Sequence, residues 1–195
     1  YELRGISCLD LDKILPKKNI MCSRSFGNPV NSKTIIKDFI TEYSIRAAEK
    51  VRQQNSRAQG IYIFLQTNRF KKEKQYNSGI MVGLNFPCCD TSTIIKLASK
   101  AIDQIFQPGY SYHKAGIMML DLIPSDIHQK DLFQNTTYSL SDQRMKVIDS
   151  LNKKFGSGII MHGKVRSKDK NKWKSRSFYL SPRYTTQWDE LPHVN

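Results

Sequence analysis

Apolar residues recur along this chain with two different periods, and the order in which those periods alternate predicts a β-α-β-β-α-β block. Ile61, Ile63 and Leu65 alternate with Tyr62, Phe64 and Gln66, and Ile80, Val82 and Leu84 alternate with Met81, Gly83 and Asn85. Successive side chains of a strand point to opposite faces, so each run presents one apolar face. Helical spacing flanks these runs. Over residues 33–54, Ile36, Ile40, Tyr43, Ala47 and Val51 form one stripe, with Asn31 or Ser32 available as N-cap and Lys33, Lys37, Glu49, Lys50 and Arg52 on the other face. Ile94, Leu97, Ala98, Ala101, Ile102, Ile105 and Phe106 follow the i, i+3, i+4, i+7 series, with Asp90 as the expected cap and Pro108-Gly109 as the stop. Residues 19–26, ended by Gly27-Asn28-Pro29, and residues 114–123, closed by Pro124, complete the set of strands.

Helices and strands with one apolar face each are satisfied by an α+β sandwich: a four-stranded antiparallel-type sheet with both helices on one side. The opposite face of the sheet is left free to meet a partner. Past Pro124 the character changes. A polar loop spans 125–138, and a further helix is expected over 140–155, with Ser139 and Asp142 in capping-box spacing and Gly156 at its end. From Ser157 onward the chain is rich in Gly, Ser, Lys and Arg without helical or strand period. Trp173, Phe178, Tyr179, Tyr184 and Trp188 are nonetheless too many aromatics for a solvated linker, so this irregular tail is expected to order against its own protein or a partner.

With 195 residues and 39% hydrophobic content the chain has material for one modest core and a tail. Its net charge of +14 changes the picture more, since a surface of that sign attracts polyanions, nucleic acid first among them, with salt-dependent affinity. Cys8, Cys22, Cys88 and Cys89 form no C-x-x-C pair, and His113, His128, His162 and His193 lie far apart, so zinc spacing is absent and the cysteines read as reduced thiols. No apolar run has the length of a bilayer span and no leader pattern is present, which points to a soluble intracellular protein. The start at Tyr1 reads like a piece of something longer.

Within the loop, Gln129, Leu132 and Phe133 of Gln129-Lys130-Asp131-Leu132-Phe133 have the makings of a docking motif. The Leu-Phe pair supplies roughly 1.5 to 3 kcal/mol per side chain when desolvated in a pocket, and the Gln129 amide both donates and accepts. A loop whose Leu-Phe pair packs back on its own domain is the bland alternative.

Several separate segments then carry a resemblance. Leu3-Arg4-Gly5, Lys17-Lys18, Ser23-Arg24-Ser25-Phe26-Gly27, Arg46-Ala47-Ala48-Glu49-Lys50, Thr67-Asn68, Gly109-Tyr110 through Lys114-Ala115-Gly116, and the closing run from Ser181-Pro182-Arg183-Tyr184 to Leu191-Pro192 together resemble the C-terminal part of a UmuC-type Y-family DNA polymerase. The resemblance implies a division into the end of a thumb or linker (1–16), a little-finger DNA-binding domain (17–124), a clamp-binding loop (125–138) and a UmuC-type C-terminal extension (139–195). It implies that Gln129, Leu132 and Phe133 bind the replication sliding clamp. Lys17, Lys18, Ser23, Arg24, Ser25, Arg69, Lys71, Lys72, Lys74, Tyr112 and Lys114 would hold primer-template DNA, mostly through phosphates, which position without reading sequence. A salt bridge within the sheet is the alternative for Arg24, a solvated hairpin for the lysine run, and a core position for Tyr112. The family further implies a processed UmuD-type subunit and a recombinase filament as partners of the extension, translesion synthesis in the SOS response, no membrane, and a bacterial cytoplasmic, nucleoid-associated location.

Catalysis is not expected of these residues. Two-metal nucleotidyl transfer needs carboxylates holding two ions about 4 Å apart, and in this family they lie in a palm upstream of Tyr1. Asp10 and Asp12, or Asp189-Glu190, make no convincing metal set, so Mg2+ belongs to the full-length parent and no cofactor is expected here. There is also no Gly-rich phosphate loop. Two other classes stay open: an RNA-binding sandwich, although its aromatic strand motif is missing, and a protein-interaction fragment with little DNA binding of its own.

Overall fold

A computed structural model of the chain describes residues 2–5, 15–126, 137–156, 158–163 and 180–191. The elements run β1 (Ile20–Val30), α1 (Lys33–Gln53), β2 (Ser56–Thr67), β3 (Asn77–Cys88), α2 (Thr91–Ile105), β4 (Tyr112–Leu120), the two-residue β5 (Ile123–Pro124) and α3 (Thr137–Phe155). The expected strand and helix order therefore holds. The α+β expectation holds with it, both helices of the block lying on one side of the sheet.

In space the strands are ordered β1-β4-β2-β3, each antiparallel to its neighbour, with β5 pairing separately to the start of β2. Register makes the two faces explicit. Cys22, Ile117, Ile63 and Ile80 form one row across the sheet, and Ile20, Met119, Ile61 and Val82 another, both facing the helices. These rows close on Ile36, Ile40, Ala47 and Val51 of α1 and on Ile94, Ala98, Ala101 and Ile102 of α2, all nearly or fully buried. Lys33 and Lys37 of α1 reach Asp103 of α2 at 2.5 and 2.7 Å, bridging the two helices on their solvent side.

Three of the boundary differences from the periodicity have a plain physical reason. β1 continues through Gly27-Asn28-Pro29 to the buried Val30, with a register shift after Ser25. It is an edge strand, where a proline's missing N–H costs no ladder bond on the solvent side. β4 ends at Leu120 rather than 123, because Asp121 turns the chain with φ 50° and sends Ile123 across to Arg57 of β2. α3 begins at Thr137 rather than 140, which moves Asp142 from the expected capping position into the helix body, where it pairs with Arg57. The Asp90 cap is formed as expected, its carboxylate accepting from the Thr93 N–H at 2.8 Å.

Candidate nucleic-acid interface

Three rows of side chains cover the face of the sheet that carries none of the described helices. They are Met21-Met118-Tyr62-Met81, then Ser23-Gly116-Phe64-Gly79, then Ser25-Lys114-Gln66-Asn77, each read across β1, β4, β2 and β3. The middle row explains how flat this face is. A Cβ at Gly116 would sit 2.5 Å from Ser23 Cβ and 2.6 Å from the Phe64 ring, and one at Gly79 would strike the Tyr62 ring. Both aromatics therefore lie down on glycines, 6.0 Å apart and stacked, with Lys114 Nζ 6.0 Å above the Phe64 centroid.

The expected DNA contacts fall into groups at opposite ends of that face. Lys17 and Lys18 are exposed where the chain enters β1. Their backbone is fixed: Lys17 N–H donates to Gln54 Oε1 at 3.0 Å, and the Lys18 carbonyl accepts from Leu122 N–H at 2.9 Å. At the other end lie Ser25, Lys114 and the β2–β3 connection with Arg69, Lys71, Lys72 and Lys74, all four exposed. That connection is ordered by Gln75, whose amide donates to the carbonyls of Asn68, Lys71 and Glu73 at 3.0, 2.7 and 3.2 Å. Lys71 lies 3.6 Å from Glu73, whereas Lys18, Arg69, Lys72 and Lys74 have no ion-pair partner among the described residues. Ser23 is half-buried on the open face beside Met21, its hydroxyl 3.8 Å from the thioether sulfur.

Two expected contacts are placed otherwise. Tyr112 is fully buried: its ring packs among Tyr76 and Phe106, and its hydroxyl both accepts from Gln107 N–H and donates to Gln107 O at 2.9 Å. The cause is a register shift between Gln66 and Thr67, which pairs Lys114 with Gln66 but Tyr112 with Thr67, turning the tyrosine to the helix side. It is a core residue, not a DNA contact. Arg24 pairs with Ala115, so it shares the helix-side parity of Cys22 and Phe26 rather than the open face. It is exposed at the sheet edge, near enough to the Tyr43 phenol to oppose the rise to about 12 that burial gives that group. The salt bridge held open for Arg24 is absent among the described residues, and period-two counting from Cys22 to Phe26 was the signal for its side. Gln129, Leu132 and Phe133 lie outside the described residues.

The sequence did not reveal how α3 meets the sandwich. Arg52, read as part of the charged outer face of α1, is turned into a seam where Nε and one terminal nitrogen bond both oxygens of Asp149 at 2.6 and 2.8 Å, and the other nitrogen reaches Cys89 O and Thr91 Oγ1. Arg57 pairs with Asp142, its Nε buried without a hydrogen-bond partner. Asp90 binds Ser141 Oγ at 2.7 Å and Arg144 at 3.1 Å besides capping α2. Burial alone would raise the Asp90 carboxyl, but bonds from Ser141, Thr93 and Arg144 hold it below its ordinary value. Burial, with the charge of Asp142 beside it, pushes the Cys89 thiol up to about 12, an unreactive state. Burial likewise lowers His162. Among the described residues no three or more His, Cys, Asp or Glu side chains gather as a metal site, and no helix is long and apolar enough to cross a membrane.

A two-layer β-α-β-β-α-β domain with an ion-paired helical extension is thus the class of protein that the fold defines. The model of the impB/mucB/samB family C-terminal domain matches residues 17–132, and the chain belongs to that family. A domain of unknown function (DUF4113) matches 143–194, the region of α3 and the tail. UmuC of Salmonella typhimurium is 36% identical over 99% of this chain and 46% of its own length. ImpB of Salmonella typhimurium, at 34%, and MucB of Escherichia coli, at 33%, each match 98% of the chain and 45% of their own length. The chain spans about half the length of these curated relatives and corresponds to their C-terminal part. Among solved structures, an insertion ternary complex of Dbh DNA polymerase aligns with TM-score 0.42 and 12% identity over 54% of this chain and 29% of that one, a likeness too slight to assign anything.

Proposed function

We propose that this chain is the DNA-gripping and clamp-tethering C-terminal region of an error-prone Y-family DNA polymerase that acts in SOS translesion synthesis. One observation carries the reading: exposed cations, most of them without ion-pair partners among the described residues, stand at both ends of a sheet face that none of the described helices covers. Such cations bind phosphates whatever the base sequence, as an enzyme on damaged templates requires. Gln129, Leu132 and Phe133 would tether the enzyme to the sliding clamp, raising its effective concentration at a stalled primer end. Chemistry would come from a palm in the full-length parent, with Mg2+ held there.

The test is binding of the chain to labelled primer-template at two salt concentrations, with and without sliding clamp. Affinity should fall steeply with salt, and Lys71→Ala, Lys72→Ala and Lys74→Ala together should lower the slope by as much as about 0.9 for each phosphate contact removed. Phe133→Ala should abolish recruitment by the clamp and leave DNA binding intact. Absence of DNA binding at low salt would refute the gripping role. A second reading has its own support: Leu180, Tyr184 and Trp188 of the extension are 78%, 50% and 86% exposed. They suit a protein partner such as a processed UmuD-type subunit or a recombinase filament.

A further inference from the structure

The outer face of a helix packed on a core is ordinarily polar, and α1 and α2 obey this, since every exposed residue of either helix is polar or charged. α3 does not. One of its sides packs on the sandwich, with Met145 1% exposed and Asp142 and Asp149 paired to Arg57 and Arg52. A second apolar stripe runs along another side. Leu140, Val147, Leu151 and Phe155 follow at spacings of seven, four and four, which at about 3.6 residues per turn keeps them on one side of the helix. Leu140, Val147 and Phe155 are 66%, 56% and 59% exposed, and Leu151 is half-buried. At about 1.5 Å per residue the stripe is about 22 Å long.

Charge selects what can cover such a stripe. Both acids of α3 are engaged with the sandwich, so the charges left exposed on the helix are Arg144, Lys146, Lys153 and Lys154, all positive. Arg144 shares Asp90 at 3.1 Å, whereas the three lysines have no carboxylate partner among the described residues. Lys154 Nζ stands 5.3 Å from the Phe155 ring centroid, which puts a cation at the edge of the stripe itself. A second copy of the chain would set these cations against their like. A nucleic acid would answer the lysines and leave the apolar side chains in water. We infer that the Leu140-Val147-Leu151-Phe155 stripe docks an amphipathic helix of a partner protein, one whose apolar residues are flanked by Asp and Glu. Helix-to-helix docking uses anchors at this spacing, and opposite charges beside them fix partner and orientation. The ion pairs of Arg52 and Arg57 hold α3 on the sandwich, so the stripe is presented on a fixed support. None of its residues belongs to the cations of the DNA reading, and the inference stands apart from it.

The full 195-residue chain is titrated, by fluorescence anisotropy, into a labelled synthetic helix carrying leucines at the stripe's spacing with glutamate on both flanks, and into a twin with lysine for every glutamate. The glutamate helix should bind, and the twin at least about tenfold more weakly. Leu140→Ser with Val147→Ser should weaken the glutamate helix about tenfold or more. Val147→Ser alone serves where the pair lowers helicity by circular dichroism. Lys146→Glu with Lys154→Glu should weaken it as well and narrow the gap between the twins. No binding of the glutamate helix, equal binding of the twins, or binding that survives the serine substitutions overturns the inference. So does a wild type that self-associates in sedimentation, or that prefers phosphatidylglycerol vesicles to the glutamate helix, where the serine variant does neither. Affinity for primer-template should be the same in wild type and serine variant, so failure of this inference and failure of the DNA reading are told apart.

Discussion

Arg52→Ala should free α3 from the sandwich, and the structure sets how much that costs relative to removing its partner. The Arg52 side chain is 10% exposed and joins three groups: Asp149, the Cys89 carbonyl at 2.8 Å and the Thr91 hydroxyl at 2.9 Å. Asp149 is 29% exposed, so water restores part of its hydration and its share is about 1–2 kcal/mol rather than the 3–5 of a fully buried pair. Cys89 and Thr91 are buried and lose their shared donor, which adds about 2–3 kcal/mol for groups left unsatisfied. Arg52→Ala should thus cost about 3–5 kcal/mol, and Asp149→Ala, which leaves Arg52 its two neutral partners, about 1–2. The double variant should cost little more than Arg52→Ala. Urea denaturation of the four proteins measures these differences, and hydrogen exchange of the α3 amides locates them. Additive costs in the double, or unchanged α3 protection, would show that the seam is not held by this pair.

Asp90 makes a pH-dependent contribution. Its folded carboxyl titrates below the ordinary 3.8, so the stabilisation is fully present above about that pH and drains as pH falls through the folded value. Asp90→Asn should be less stable at neutral pH, with a shallower loss in denaturation midpoints as the pH falls below the ordinary 3.8. Gly116→Ala should cost about 1–3 kcal/mol by thermal unfolding, because its Cβ meets Ser23 and Phe64 at 2.5 and 2.6 Å. Gly83→Ala in β3, with nothing within 4 Å of the new Cβ, is the matched control and should cost little. Met145 of α3 is 1% exposed, and Met145→Ala should cost about 2–5 kcal/mol and raise exchange at α3 first.

The two periods in the sequence carried the sandwich because burial selects for them directly. α2 shows the full helical series and its apolar residues are buried or, at Leu97 and Phe106, half-buried; β2 and β3 alternate because one face meets helices and the other does not. Where the chain departs from regular pairing, the pattern loses its hold. A one-residue shift at His113 reverses which side Tyr112 occupies, and no residue type at that position announces it. Gly27-Asn28-Pro29 carries every sign of a turn, yet an edge strand has no neighbour to forbid those residues, so β1 passes through them.

Charge was less legible than hydrophobicity for a related reason. A buried isoleucine is buried whatever it touches, whereas an arginine's role depends on what long-range packing brings opposite it. Arg52 and Lys72 look alike in the sequence as basic residues in polar surroundings. One is sealed against Asp149, 97 positions away, and the other stands in solvent at the end of the sheet. The +14 total is already net of every carboxylate, so the ion pairs of the α3 seam and of Lys33 and Lys37 on Asp103 decide where positive charge stands unpaired, not how much of it there is. Lys18, Arg69, Lys72 and Lys74, at the two ends of the sheet face, are among the cations left without a carboxylate among the described residues. Neutral side chains fill the rows between them, so, on the proposed DNA-gripping function, the salt dependence of binding should respond to substitution of those cations and not of the residues between.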